Sequence, residues 1–142
     1  MARFVIKKLT DEQIISIVAG SDPTGSESQS KLAPVVGDLA DHNWLAYGIE
    51  KGFYQVREIH LDELPCYRLF FHLNDQGWLY INAVLFIGTG AGNFPALVLG
   101  AERIAKELGA KGIEFSTQRL GLVNHAREFG YGITGVLMTK KI

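Results

Sequence analysis

Trp78-Leu79-Tyr80-Ile81-Asn82-Ala83-Val84-Leu85-Phe86-Ile87 runs into Gly88-Thr89-Gly90-Ala91-Gly92-Asn93, and that turn runs into Phe94 to Leu108. The first run is half a membrane span long and carries Asn82, so it predicts a buried strand rather than a transmembrane helix. In the last run Leu97, Ala101, Ile104 and Leu108 recur at intervals of four, three and four, with Val98 and Ala105 beside them. That spacing predicts an amphipathic helix with one buried stripe, stopped by Gly109. Between them, glycines permit backbone angles barred to other residues and leave amide N–H groups uncovered beside the positive end of the helix dipole. A strand, a glycine turn and a helix in that order make an anion site able to hold a diphosphate on main-chain donors. Asn93 would cap the helix and Pro95 suits its first turn. The competing reading is a sharp glycine connection that binds nothing.

Upstream, Tyr67 to Leu73 is β-prone, and Asn74-Asp75-Gln76-Gly77 joins it to Trp78 as a hairpin. If Leu73 pairs with Trp78, Arg68 falls opposite Ala83 and His72 opposite Leu79, on a face shared with Leu79, Ile81, Leu85 and Ile87. Trp44 to Ile49 and Phe53 to Ile59, around Lys51-Gly52, predict an earlier hairpin. At the start, Phe4 to Leu9 predicts a strand. Thr10-Asp11-Glu12-Gln13 then has the spacing of a capping box ahead of Ile14, Ile15, Ile17 and Val18, and opens a short helix. Gly20 to Ser28 is an exposed loop, and Gln29 to Ala40 a second helix. Downstream, Gly112 to Ser116 predicts a strand, Gln118 to Phe129 a helix, and Ile133 to Lys140 a closing strand.

The chain has 142 residues, enough for one globular unit that buries about two-thirds of its unfolded surface without disulfides or a structural metal. Apolar residues at 47% and charged residues at 20% exclude an intrinsically disordered chain. A net charge of −1 supplies no basic field for nucleic acid or an anionic membrane. Trp78, Tyr80 and Phe86 alternate along one strand, but without a basic patch they read as core rather than a base-stacking platform. The single cysteine, Cys66, cannot form an internal disulfide and has no zinc-ligand spacing around it, so no metal is expected. A reducing compartment, the cytoplasm, fits that usage. The first eight residues have no apolar run with a cleavage site, so no signal peptide is expected.

From Tyr67 onward the order of hairpin, strand, glycine turn, long helix, strand, helix and strand resembles the GNAT acyltransferase superfamily. Asn124-His125-Ala126-Arg127-Glu128-Phe129-Gly130-Tyr131 is similar to that family's last helix, an Asn-led stretch finishing in Gly and an aromatic. With Phe4 to Leu9 and the two N-terminal helices, the resemblance covers nearly the whole chain. It implies one α/β (α+β) domain over residues 1–142, a mixed, mostly antiparallel sheet flanked by about four helices. It also implies acetyl-CoA as co-substrate and a small-molecule or protein amine as acceptor. The cofactor's arm would bond to the main chain of Asn82, Ala83, Val84, Leu85 and Phe86, where the central strand splays from its neighbour. Its pyrophosphate would lie on Gly88 to Asn93, with Asn124 beside the cofactor. A homo-oligomer is compatible with the reading.

The sequence departs from that family at three places. The Gln or Arg that opens the pyrophosphate loop falls on Leu85 or Ile87, the tyrosine that protonates the departing thiolate falls on Ala126, and the central strand has no carboxylate. Other residues then become candidates for the chemistry. His72 is a general base, with an unperturbed pKa near 6.5, and Arg68 holds an acidic acceptor. His125, beside the vacant tyrosine position, is a proton donor, and Glu114 activates an amine through water. A helix-surface histidine, a strand-end histidine, a snorkelling arginine and a polar strand face are the plainer accounts of the same four residues. Two other functions stay open. One is a GNAT-like binding or assembly protein that has lost catalysis, such as a phage or prophage accessory protein. The other is a nucleotide or S-adenosylmethionine binder built on Gly88 to Gly92, although too little sheet follows Gly88 for a doubly wound fold.

Overall fold

The computed structural model describes residues 3–19, 47–86, 94–117, 120–136 and 138–142. Its centre is a sheet of five strands in sequential order: β1 (Phe4–Lys8), β2 (Gln55–Leu61), β3 (Leu64–Leu73), β4 (Leu79–Phe86) and β5 (Ile113–Glu114). The first four are antiparallel neighbours and β4 pairs with β5 in parallel. Helix α1 (Asp11–Ala19) follows β1, α2 (Phe94–Glu107) connects β4 to β5, and α3 (Leu120–Glu128) follows β5. The parallel pair requires a crossover, and the periodic helix supplies it.

Local sequence accounts for the element ends. Thr10 Oγ1 accepts from the Gln13 amide at 3.2 Å while Gln13 Oε1 accepts from the Thr10 amide at 2.9 Å, the reciprocal bonds of the expected capping box. At the end of α2, Gly109 has φ +69° and the Ala110 amide reaches back to the Ala105 carbonyl at 2.8 Å, closing the helix. Leu97, Ala101, Ile104 and Ala105 press α2 onto one face of the sheet, where they meet Ile59, Tyr67, Leu69, Phe71, Leu79, Ile81 and Val84. The helix lies so close to β2 that a Cβ on Gly100 would run into the Ile59 side chain. A second, smaller cluster of Leu9, Val56, Phe70, Ala83 and Leu85 covers the opposite face.

Four expectations are corrected. Residues 47–50 are a helical turn, not a strand, closed by a Lys51 amide to Tyr47 carbonyl bond of 3.0 Å and by Gly52 at φ +75°. A glycine in that conformation ends a helix as readily as it turns a hairpin, and the sequence pattern did not distinguish them. The hairpin forms instead between β2 and β3 around Asp62 and Glu63, at φ 52° and 68°. Neither residue is a glycine, so the turn carried no signal. Third, the Gly112 to Ser116 strand is two residues long, and the C-terminal segment, residues 131–136 and 138–142, is not a strand. The fourth is register. The turn after β3 closes at Trp78, whose carbonyl accepts from Asn74 N–H at 2.9 Å, so Leu73 pairs with Leu79 and His72 with Tyr80. A bulge between Phe70 and Phe71 then adds a residue on β4, so Phe71 faces Ile81, Phe70 faces Ala83 and Arg68 faces Leu85. Each one-residue slip moves side chains to the other face. Arg68 and His72 therefore share a face with Ala83 and Leu85, while Leu79 and Ile81 lie on the α2 side.

The turn at residues 88–93, the loop at 20–28, the helix expected over 29–40 and Ile87 lie outside the described residues. Among the described residues, no helix is long and apolar enough to cross a membrane.

Candidate functional site

β4 is eight residues long, but its ladder with β5 holds two pairs, Leu79 with Ile113 and Tyr80 with Glu114. Beyond Tyr80 no described strand pairs with that edge of β4. The main chain from Ile81 to Phe86 thus has one side in the ladder to β3 and, among the described residues, no partner strand on the other. An open parallel edge is a template for an extended ligand with amide groups. Ala83, Val84 and Leu85 are 0%, 3% and 2% exposed, main chain included, so their side chains belong to the core and this stretch of the edge is covered. The main chain of β4 past Tyr80, which lacks a second partner strand among the described residues, is what would hold a pantetheine arm. Gly88, Thr89, Gly90, Ala91, Gly92 and Asn93, expected to take its phosphates, lie outside the described residues.

At the vertex of this opening His72, Tyr80 and Glu114 occupy one row across β3, β4 and β5. Neighbouring strands are about 4.8 Å apart, which puts the outer two roughly 10 Å from each other at their Cα atoms. The bulge decides what faces them. Asn82 is the extra residue, and it points to the same face as Ala83, so that its Oδ1 meets His72 Nδ1 at 2.8 Å. An amide oxygen only accepts, so Nδ1 is the donor in this bond, and in the neutral ring Nε2 is then the acceptor. The His72 ring leans on Tyr80, centroids 5.4 Å apart, and on Tyr54 at 6.0 Å. The Tyr80 hydroxyl donates to Ser116 Oγ at 3.1 Å, and Asn74 Nδ2 donates to Glu114 Oε1 at 2.6 Å. This half-buried row thus carries an imidazole, a carboxylate and the Tyr80 hydroxyl, with the hydroxyl of exposed Ser116 beside it.

Of the expected site residues, the structure joins His72 to Asn82 and places Glu114 in the same row two strands from His72. His125 lies elsewhere, on exposed α3 with its ring 5.5 Å from that of Phe94 at the start of α2. Asn124 is exposed on the same helix. Arg68 is 4% exposed, and its Nη2 and Nε donate to Glu58 Oε2 at 2.9 and 3.3 Å. Glu58 Oε1 in turn meets His60 Nε2 at 2.9 Å, which leaves buried His60 Nδ1 without a hydrogen bond. This polar cluster was missed. Its one sequence signal is Arg57, Glu58 and His60 interleaved with Val56 and Ile59 in a run that the sheet buries throughout. The vertex contacts carried no signal, because they depend on the bulge.

On the α2 side of the same opening lies a cavity of about 40 Å³ lined by Ile81, Val84, Leu97, Ala101, Phe115 and Tyr131, among others. Tyr131 follows Gly130 at the end of α3 and sets its ring edge-on to Phe115, 5.6 Å away. Burial, and secondarily the charge of Glu102, pushes its hydroxyl up to about 12, so it stays protonated throughout the physiological range. Ala126, at the position where the resembled family carries a tyrosine, is 3% exposed and packs inward.

No protein-family model matches the chain, and no curated protein sequence matches it. Solved structures do. The aminoglycoside N-acetyltransferase AAC(6')-Iy in complex with CoA matches with a TM-score of 0.58 at 11% identity, over 100% of this chain and 96% of that one. Ribosomal-protein-alanine N-acetyltransferase from Brucella melitensis biovar Abortus 2308 gives 0.57 at 9% identity, over 100% and 99%. The yncA protein of Salmonella typhimurium, solved with its cofactor acetyl-CoA, gives 0.57 at 15% identity, over 93% and 81%.

Proposed function

On a chain that has the GNAT fold, we propose an acyl-CoA-dependent N-acyltransferase with acetyl-CoA as donor and an amine, on a small molecule or a protein, as acceptor. One observation carries the reading. The parallel ladder between β4 and β5 stops after two pairs, directly above the row His72, Tyr80 and Glu114. Bound acetyl-CoA would supply an acyl group already activated as a thioester. The edge of β4 past Tyr80 would hold the amides of the donor's arm. Asn82 holds the His72 ring with Nε2 able to take a proton from an acceptor ammonium. Glu114, fixed by Asn74, provides the negative charge that draws a cationic amine to this row.

The test starts with binding. A ligand present at 100 times its Kd and bound only by the folded state stabilises by about 2.7 kcal/mol, so acetyl-CoA should raise the unfolding midpoint by roughly 8–10 °C. Thiol release with a panel of amines then reports turnover. His72→Gln should lower kcat by about 100- to 10,000-fold with the acetyl-CoA Kd unchanged. No midpoint shift at millimolar acetyl-CoA overturns the reading, and a shift with S-adenosylmethionine or NAD in its place favours a nucleotide binder. Binding without thiol release for any amine supports the non-catalytic alternative, which buried Ala126 at the tyrosine position favours.

A further inference from the structure

Three rings stand side by side across the sheet face opposite α2. Tyr54, just ahead of β2, packs against the smaller cluster on that face, and its ring centroid lies 6.0 Å from that of His72 on β3. His72 in turn lies 5.4 Å from Tyr80 on β4, and the two pairs are tilted by 44° and 39°. Gly48 sets the outer ring, because a Cβ there would run into Tyr54. All three residues are half-buried rather than core. One strand further on, Glu114 pairs with Tyr80 and closes the row.

Most polar atoms of the row are engaged. Asn82 holds His72 Nδ1, the Tyr80 hydroxyl donates to Ser116 and Asn74 donates to Glu114 Oε1. Among the described residues this leaves ring surface, His72 Nε2 and Glu114 Oε2 to a ligand. An acceptor bearing many hydroxyl or ammonium groups would leave most of them unmatched here, and each one that loses its water is a cost. A flat aromatic ring packs offset or edge-on against such rings, a gain that saturated hydrocarbon of the same size does not share. An ammonium group on a two-carbon arm then reaches across one strand spacing, about 4.8 Å, to the carboxylate at the vertex where the β4–β5 ladder ends. Resting on the acyltransferase reading above, we infer that Tyr54, His72, Tyr80 and Glu114 seat the acceptor, and that the acceptor is an arylalkylamine, an aromatic ring on a short arm ending in a primary amine.

Calorimetric titration of the intact chain with CoA comes first, followed by 2-phenylethylamine, 2-cyclohexylethylamine and n-butylamine against the CoA-saturated chain. 2-Phenylethylamine should bind about 2- to 12-fold more tightly than its saturated counterpart, the range of one aromatic pair. Against n-butylamine the advantage should be about 10-fold or more, since the ring also buries more carbon. Tyr54→Leu should bring 2-phenylethylamine level with 2-cyclohexylethylamine, a change in ratio that general loosening of the fold does not produce. Glu114→Gln should weaken all three amines by about 10-fold. The wild-type series decides the matter even if neither variant folds. Binding of CoA with no preference for the aromatic ring, or with no amine bound, overturns the aromatic seat and leaves the cofactor reading standing. An unchanged ratio in folded Tyr54→Leu, or unchanged affinities in folded Glu114→Gln, overturns it as well. Absence of CoA binding overturns both.

Discussion

Glu58→Gln tests the polar cluster on the sheet face opposite α2. The Glu58 and Arg68 side chains are 10% and 4% exposed, and one carboxylate serves two partners: Arg68 through Oε2 at 2.9 and 3.3 Å, and His60 through Oε1 at 2.9 Å. Gln is nearly isosteric, so packing is kept. It removes the negative charge and turns one acceptor into a donor that must face either the guanidinium or the imidazole. Breaking a buried pair from one side costs about 3–5 kcal/mol, and the retained amide oxygen argues for the lower end. At this chain length 1 kcal/mol corresponds to about 3 °C, so the midpoint should fall by about 9 °C. Urea unfolding should show the lower midpoint with an unchanged slope. The double variant Glu58→Leu/Arg68→Leu should lose less than the sum of its single changes, because the charges then leave together. A loss below about 1 kcal/mol for Glu58→Gln, or strict additivity in the double variant, refutes the reasoning.

Glu63→Gly removes a side chain from a left-handed residue at φ 68° and should raise stability by about 0.5–1 kcal/mol by urea unfolding. The exposed Arg3–Glu63 pair that it deletes, at 3.7 Å, contributes little. Gly100→Val drives a side chain into Ile59, which is 0% exposed, and should cost about 1–3 kcal/mol, with Ile59→Val restoring part of it in the double variant. Tyr131 binds its proton more tightly when folded than at its ordinary value of 10.0. Its contribution is intact below pH 10 and is lost as pH rises toward about 12, so wild type should fall faster than Tyr131→Phe in urea midpoints measured across that window. Parallel curves would remove burial as the cause.

The fold was readable where a residue's neighbours in sequence are its neighbours in space. The Thr10–Gln13 box and the Leu97, Ala101, Ile104 stripe are of this kind, and both stand as expected. Turns were readable only where they used glycine in its usual role. Asp62 and Glu63 adopt left-handed angles that tertiary context imposes, and Gly52 closes a helical turn rather than a hairpin. The candidate site was half readable. His72 and Glu114 stand out in the sequence, but their common row with Tyr80 does not, because the expected register differs by one residue at His72 and by two at Arg68.

By itself the sequence determined which segments alternate, which follow the helical period, and that a long buried strand leads through glycines into an amphipathic helix. Those are properties of side-chain chemistry and spacing over a few residues. Only the tertiary structure decided that β4 carries a bulge at Asn82, that β5 pairs for two residues and then departs, and that Glu58 joins Arg68 to His60. Each of these is a choice among registers of nearly equal local energy, made by packing between strands and helices far apart in the chain.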